Sequence, residues 1–279
     1  MKTVLEILER SADYLRKRGV PEPRLDAEHL LAHALGLQRM DLYLQHDRPL
    51  REEELAPVRD LLARRGRREP LSYLLGTHPF AGLTLRVGPG VLIPRPETEE
   101  LLEKVLLRAP TAPARILDLG TGSGALALGL QQAYPQAAVH AVDASAEALD
   151  RARANAAELG FPLHFHEGDW LAPVEGPFDL IVANPPYLTE EEWGSAEPEV
   201  REWEPRGALV AAEGGTAALA LLLRAAPPHL APGGLLALET GIAQHAALAR
   251  LADTTGAYGE PECAADLQGR PRFLFLRKR

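Results

Sequence analysis

Cysteine is almost missing from this chain. Its single copy, Cys263, excludes an intramolecular disulfide and points to a reducing compartment. Long hydrophobic runs are missing too. No early apolar run has the length of a signal-peptide core, and no stretch of about 18 residues is both apolar and uncharged. A soluble, cytoplasmic protein with no membrane partner is therefore expected. Internal repeats and low-complexity tracts are absent. Nor is there a surplus of basic residues, since 30 Lys+Arg face 39 Asp+Glu for a net charge of -9. Residues 1–75 are close to neutral, with 14 Lys+Arg against 13 Asp+Glu, and the remainder carries 16 against 26. A broad basic face for duplex DNA is thereby unsupported. One local basic cluster stands out: Arg64, Arg65, Arg67 and Arg68. It reads either as a solvated helix end or as a contact for RNA or an acidic partner.

What is present suits a two-domain globular protein: 279 residues, 46% apolar and 25% charged. Val4, Ile7, Leu8, Ala12 and Leu15 recur at helical spacing. Further helices are expected over Leu25–Leu35, Met40–Tyr43 and Glu52 to about Arg65. Residues 1–75 thus read as a small all-helical domain. Over 76–92, Phe80, Leu83, Leu85 and Val87 alternate around Gly82 and Gly88, which fits a β-hairpin linker. A helix over Glu99–Leu107 follows, with Glu97 or Thr98 near its start.

From residue 93 to 279 the pattern is that of an α/β domain. Strands are expected at Ile116–Leu119, Ala138–Val142, Leu163–His166, Phe178–Ala183 and Leu235–Leu238, with helices at Ala125–Ala133 and Ala146–Leu159. Continuous apolar strands separated by helices imply a mostly parallel sheet covered on both faces. Arg272–Leu276 has no room for another crossover helix. It is expected to be antiparallel, in a hairpin with a strand near Tyr258–Cys263, which makes seven strands.

The first βα turn reads Asp118-Leu119-Gly120-Thr121-Gly122-Ser123-Gly124. Three glycines at alternate positions allow a tight turn and close approach of a ligand to the backbone at a helix N-terminus. The spacing is not the G-x-G-x-x-G of dinucleotide sites, and no Lys-Ser/Thr follows as in a P-loop. The next strand ends at Asp143, whose carboxylate can accept both hydroxyls of a ribose. The competing role, capping the helix at 146, suits Ser145 equally. Asp169 and Trp170, read as the end of the third strand, offer an acceptor for an adenine amine and a cover for its ring. Core packing is the other reading of Trp170.

The second segment is Asn184-Pro185-Pro186-Tyr187, placed directly after the apolar strand 178–183. The prolines end the strand and stiffen the backbone. Asn184 supplies one acceptor oxygen and two donor hydrogens, and Pro185 supplies a carbonyl with no N–H. Two acceptors aimed at one NH₂ group match a primary amide or an exocyclic amine. Holding that nitrogen in line with a methyl donor suits so poor a nucleophile. Tyr187 adds a flat face and a polar handle. By this reading Asn184, Pro185 and Tyr187 carry catalysis, with Pro186 completing the substrate site.

Together these segments resemble the class I methyltransferases, and more closely the release factor glutamine methyltransferase family. The resemblance spans essentially the whole chain. It rests on Pro70–Gly76, on Leu92-Ile93-Pro94-Arg95-Pro96-Glu97-Thr98-Glu99, on the glycine loop and on Asn184–Tyr187. Glu204-Pro205-Arg206, Glu239-Thr240-Gly241 with Gln244, and the stretch from Asp266 to Arg272 also match. Trp203 and Thr240 depart from the family pattern. The resemblance implies a class I fold and S-adenosyl-L-methionine as donor, with S-adenosyl-L-homocysteine as product and no metal. It also implies methylation of the glutamine in the Gly-Gly-Gln loop of class 1 peptide-chain release factors. Gly120, Thr121, Gly122, Ser123, Gly124, Asp143, Trp170 and Asn184 would then contact the donor. Arg95, Glu97, Thr98, Glu99 and Glu239 would stand at the site's mouth or support it. The helical domain would help grip the release factor, and a monomer is expected. A ribosomal-protein glutamine or a nucleic-acid adenine N6 amine are the alternative substrates.

Overall fold

The computed structural model describes residues 2–109 and 112–279, which fall into two compact units. The first comprises the residues up to Thr77 together with Glu197–Trp203. Its helices are α1 (Val4–Lys17), α2 (Pro23–Leu35), α3 (Arg39–Leu44), α4 (Glu52–Arg65) and α5 (Leu71–Leu75), with a further short helix at Pro198–Trp203. Thr3 starts α1 with a reciprocal capping box, its hydroxyl accepting from Glu6 N while Glu6 accepts from Thr3 N. Gly36 ends α2 in the left-handed region. The apolar stripes of α1, α2 and α4 bury Leu8, Leu15, Leu30, Leu31 and Val58 against one another.

The basic cluster is not a free patch. Arg64 makes a two-pronged pair with Glu69 at 2.6 and 2.9 Å. Arg65 is buried between Asp26 (2.6 Å) and Glu199 (2.8 Å), and Arg68 bonds Glu199, Glu197 and Gly19 O. Arg65 and Arg68 are thus engaged by carboxylates of this unit, whereas Arg64, though paired with Glu69, stays partly exposed at the end of α4, as a solvated helix end would be. Of the four, Arg67 alone is exposed.

The second unit holds a short strand hairpin and one large sheet. The hairpin strands are β1 (Thr77–Phe80) and β2 (Leu83–Arg86). The sheet is built from β3 (Arg115–Leu119), β4 (Ala138–Asp143), β5 (His164–Glu167), β6 (Phe178–Ala183), β7 (Leu230–Glu239), β8 (Glu262–Ala265) and β9 (Pro271–Arg277). Their order is β5-β4-β3-β6-β7-β9-β8. Strands β3 to β7 are parallel, and β9 runs antiparallel between β7 and β8. Three helices lead into or follow the first strands: α6 (Pro96–Leu106), α7 (Ala125–Ala133) and α8 (Ala146–Leu159).

Alternate residues of each strand feed opposite cores, as a pleated strand requires. Ile116, Val139, Leu180 and Ala237 pack with α6 and α7, and Phe80 and Leu85 of the hairpin join that cluster. Leu117, Val142, Ile181 and Leu238 pack with helices Ala217–Ala225 and His245–Thr255. The expected seven-stranded, mostly parallel sheet with an antiparallel last strand is what forms. Several boundaries shift by a residue or two, and the strand expected near Tyr258–Cys263 forms as β8 at Glu262–Ala265; three further differences have local causes or consequences. α6 begins at Pro96, because proline suits the first helical position. β7 begins at Leu230, ahead of Pro232-Gly233-Gly234, which stays within the strand beside a register shift. β5 ends at Glu167, so Asp169 and Trp170 lie beyond it, and Trp170 adopts a left-handed backbone (φ 50°).

Candidate active site

The carboxyl ends of β3, β4 and β6 lie side by side, and their loops line a cleft of about 400 Å³. Gly120, Gly122, Asp143, Trp170, Asn184 and Pro185 are among its walls. A smaller chamber of about 50 Å³ adjoins it, sharing Gly120, Gly122 and Asn184 and adding Thr98 and Asp118. This is the edge at which open α/β sheets bind ligands.

The glycine loop is shaped for close approach. Gly120 has φ 71°, and a Cβ there would stand 3.7 Å from the Trp170 ring. Gly124 (φ 86°) caps α7 in the left-handed region, and a Cβ there would stand 3.2 Å from Leu128 and 3.3 Å from Ala152. It lines neither cavity, so its contribution is to the turn. Thr121 turns inward and donates to Asp118 Oδ2 at 2.7 Å, which also accepts from Ala127 N at 3.1 Å. Asp118 Oδ1 is buried without a partner. Burial pushes the Asp118 carboxyl up to about 7, against the pull of its two hydrogen bonds.

The question of which residue caps α8 has a plain answer. Ser145 Oγ accepts from Ala148 N at 3.2 Å and is the cap. Asp143 instead accepts from Gly122 N at 2.8 Å and Ser145 N at 2.9 Å, one bond per carboxylate oxygen. Each oxygen keeps a second lone pair for a ligand hydroxyl.

Asn184, Pro185 and Pro186 line the cleft, whereas Tyr187 does not. Asn184 Nδ2 donates to Thr98 Oγ1 at 2.9 Å, and the Thr98 hydroxyl donates to Glu239 Oε2 at 2.8 Å. Tyr187 donates its hydroxyl to Glu239 Oε1 at 2.9 Å. The expected polar handle of Tyr187 is therefore engaged with protein. Burial, with Glu239 close by, raises its pKa. Gln244 Nε2 holds Tyr187 O at 2.9 Å, and the Arg272 guanidinium sits 5.6 Å from the Tyr187 ring centroid. Glu239 has no exposed surface, and burial pushes its carboxyl up to about 7 despite the bonds from Thr98 and Tyr187.

Of the residues expected at the mouth, only Thr98 borders a cavity of this site. Arg95 pairs with Glu204 at 2.6 Å, and Glu204 also accepts from Ile93 N. That ion pair ties the segment before α6 to the loop at residue 204. Glu97 pairs with Arg270 at 2.8 Å, and Glu99 accepts from Ala81 N. These three side chains fix the segment that presents Thr98. Asp118, Gln244 and Arg272 join the site although the sequence reading gives them no role in it. Asp118 carries a signal, being an acid at the end of an apolar strand before a glycine turn. Among the described residues no cluster of His, Cys, Asp and Glu is suited to a metal, and no helix is long and apolar enough to cross a membrane.

Two family models match the chain, the PrmC N-terminal domain over residues 6–76 and the methyltransferase small domain over residues 97–196. A release factor glutamine methyltransferase of Geobacter sulfurreducens is 44% identical over 255 residues, covering 91% of this chain and 89% of that protein. One from Deinococcus radiodurans is 43% identical over 275 residues, 98% of both chains. The fold is shared with a methyltransferase from Pyrococcus furiosus, at a TM-score of 0.54 and 22% identity over 71% of this chain and 89% of that one. It is shared equally with a 16S rRNA methyltransferase from Thermus thermophilus solved with AdoMet and guanosine (TM-score 0.54, 22% identity, 73% and 50% covered). With near full-length identity above two-fifths and both domains matched, the chain belongs to the release factor glutamine methyltransferase family.

Proposed function

We propose that this protein transfers a methyl group from S-adenosyl-L-methionine to the side-chain amide nitrogen of the glutamine in the Gly-Gly-Gln loop of peptide-chain release factors. The observation that carries this reading is the orientation of Asn184. Its NH₂ is committed to Thr98, so its carboxamide oxygen remains as an acceptor, and Pro185, whose carbonyl is a second acceptor, lines the same cleft. A primary amide offers two N–H donors to two such acceptors. The names of the full-length relatives support the same substrate.

The residues present also fit the donor. S-adenosyl-L-methionine supplies an electrophilic methyl group carried on a sulfonium. Asp143 has lone pairs left for ribose hydroxyls, and Trp170 offers a ring face in the same cleft. The unpartnered Asp118 Oδ1 is a buried acceptor beside the glycine loop, suited to the donor's ammonium group. Asn184 lines both cavities, so the amide clamp and the donor's seat meet at one residue. The clamp holds the amide nitrogen in place and its acceptors favour positive charge developing there. The proton lost from nitrogen after methylation passes to solvent without a dedicated base.

The test is methyl transfer from labelled donor to purified release factor, ribosomes, RNA and DNA in separate reactions. Label on the Gly-Gly-Gln glutamine is expected. Label confined to ribosomal protein or to adenine would sink the reading.

A further inference from the structure

Asn184 is linked by hydrogen bonds to a carboxylate it does not touch. Thr98 Oγ1 lies 2.9 Å from Asn184 Nδ2 and 2.8 Å from Glu239 Oε2, and the other Glu239 oxygen receives the Tyr187 hydroxyl. We propose that Thr98 and Glu239 are positioning residues that fix the hydrogen-bond polarity of Asn184, so that the site admits groups that donate and rejects groups that accept. This rests on the amide clamp proposed above and extends it.

An ionised carboxylate only accepts. Thr98 has one hydroxyl hydrogen, and Glu239 takes it. The Thr98 oxygen can then only accept from its second neighbour, so the Asn184 atom facing it must be the NH₂ group. The carboxamide oxygen is thereby turned to the cleft. Nothing in Asn184 itself sets this choice, because a carboxamide rotated by half a turn has nearly the same shape. Rotation would place an oxygen against the Thr98 oxygen and present NH₂ to the substrate. Such a site would favour a carbonyl or a carboxylate over an amide nitrogen. Glu239 lies at the end of β7 and Thr98 in the first turn of α6, so both ends of the relay stand on regular elements.

A directional relay can be reversed in two coordinated steps, which a merely structural contact cannot. Glu239→Gln keeps the oxygen for Tyr187 and places NH₂ against Thr98. The Thr98 hydroxyl hydrogen is then free to point at residue 184, which mismatches an asparagine NH₂. Asn184→Asp makes the opposite mismatch, setting an acceptor against a hydroxyl whose hydrogen belongs to Glu239. Combined, the two changes match again. The introduced glutamine donates to Thr98, Thr98 donates to the introduced aspartate, and that aspartate presents an acceptor to the substrate.

The experiment measures kcat on release factor for both single variants, the double variant, Thr98→Val and Thr98→Ser. Cofactor binding and thermal melts report folding. Each single variant and Thr98→Val should lose at least about tenfold in kcat, since each leaves a buried polar group mismatched. Thr98→Ser should stay within a few-fold of wild type, and the double variant should turn over faster than either of its singles. A double variant that falls to the product of its singles, or a Thr98→Val at wild-type rate, overturns the proposal. Side-chain hydrogen exchange at ¹⁵N-labelled Asn184 gives a second readout that needs no substrate. One NH₂ proton should be protected in wild type and Thr98→Ser and exposed in Thr98→Val. Equal exchange in all three also overturns it. A wild-type enzyme inactive on release factor would count against the proposed substrate alone, because the exchange measurement still decides the relay.

Discussion

Asp143 accepts a hydrogen bond from the backbone of Gly122, 21 residues earlier in the chain, at 2.8 Å. The carboxylate at the end of β4 thus braces the loop at the end of β3, while Asp143 also lines the cleft and keeps a free lone pair on each oxygen. Removing it should act twice, on the loop and on the ribose contacts. Asp143→Ala is expected to weaken S-adenosyl-L-methionine binding by about 10- to 100-fold, the range of one or two charge-assisted hydrogen bonds. Calorimetric titration of the donor measures this, and an unchanged affinity would remove Asp143 from the donor's seat.

A second prediction concerns pH and carries opposite signs for activity and stability. Burial pushes Glu239 up to about 7, opposed by Thr98, Tyr187 and Arg272, with Glu97 adding to the rise. The relay needs the ionised form, so kcat should climb as pH rises through about 7. Stability runs the other way. A carboxyl whose folded pKa lies above its ordinary 4.5 holds its proton more tightly when folded. Its stabilisation is complete below 4.5 and is lost as pH rises through about 7. Asp118, also raised to about 7, adds a loss of the same sign. Melting temperature should therefore fall across this window while turnover rises. Glu239→Gln should flatten the activity profile and leave the Asp118 share of the stability slope. A wild-type melting temperature that rose from pH 5 to 7.5 would contradict the assignment.

The third prediction lies in the helical unit. Arg65 is buried, bonding Asp26 at 2.6 Å, Glu199 at 2.8 Å and Glu69 O at 3.1 Å. Arg65→Ala leaves the Asp26 carboxylate facing a cavity without its cation, while Glu199 keeps Arg68. A cost of about 3–5 kcal/mol is expected, as for other broken buried pairs. Urea unfolding measures it, and a loss below about 1 kcal/mol would show the pairs to be solvated.

Legibility from sequence follows the range of the interactions. α7, α8 and β6 are legible to the residue because their ends carry local signals: Gly124 and Ser145 before the helices, Gly160 after α8, and Pro185-Pro186 after the strand. Helices Ala217–Ala225 and His245–Thr255 are not, the first because leucines and alanines nearly encircle it and blur any face. β7 reads too short because Pro232-Gly233-Gly234 has turn composition, and only the neighbouring strands reveal that it stays in the sheet. In the site, Asn184 and the glycine loop are visible as contiguous motifs. The partners of Asn184 are not, since Thr98 lies 86 residues before it and Glu239 lies 141 residues beyond Thr98. Their pairing is created by the strand order β3-β6-β7, which no local pattern encodes.

Asn155 extends the same logic to a residue with no place in the chemistry. It is buried in α8, where its amide donates to Ser123 O at 2.8 Å and Arg86 O at 3.1 Å and its oxygen accepts from Arg86 N at 2.7 Å. One side chain thus ties the hairpin strand β2 to the glycine loop. An asparagine is required, because only a carboxamide donates to two carbonyls while accepting from an N–H. Asn155→Asp keeps size and acceptor but removes both donors, leaving two backbone carbonyls beside a buried carboxylate. A loss of about 2–4 kcal/mol in stability is expected from the unmatched groups. Because Ser123 belongs to the loop, donor affinity should fall as well, by about tenfold. Asn155→Leu should show a similar loss of affinity with a smaller loss of stability, since it carries no charge inward. Urea unfolding and donor titration separate the two effects. Wild-type donor affinity in both variants would mean that the loop holds its shape without Asn155.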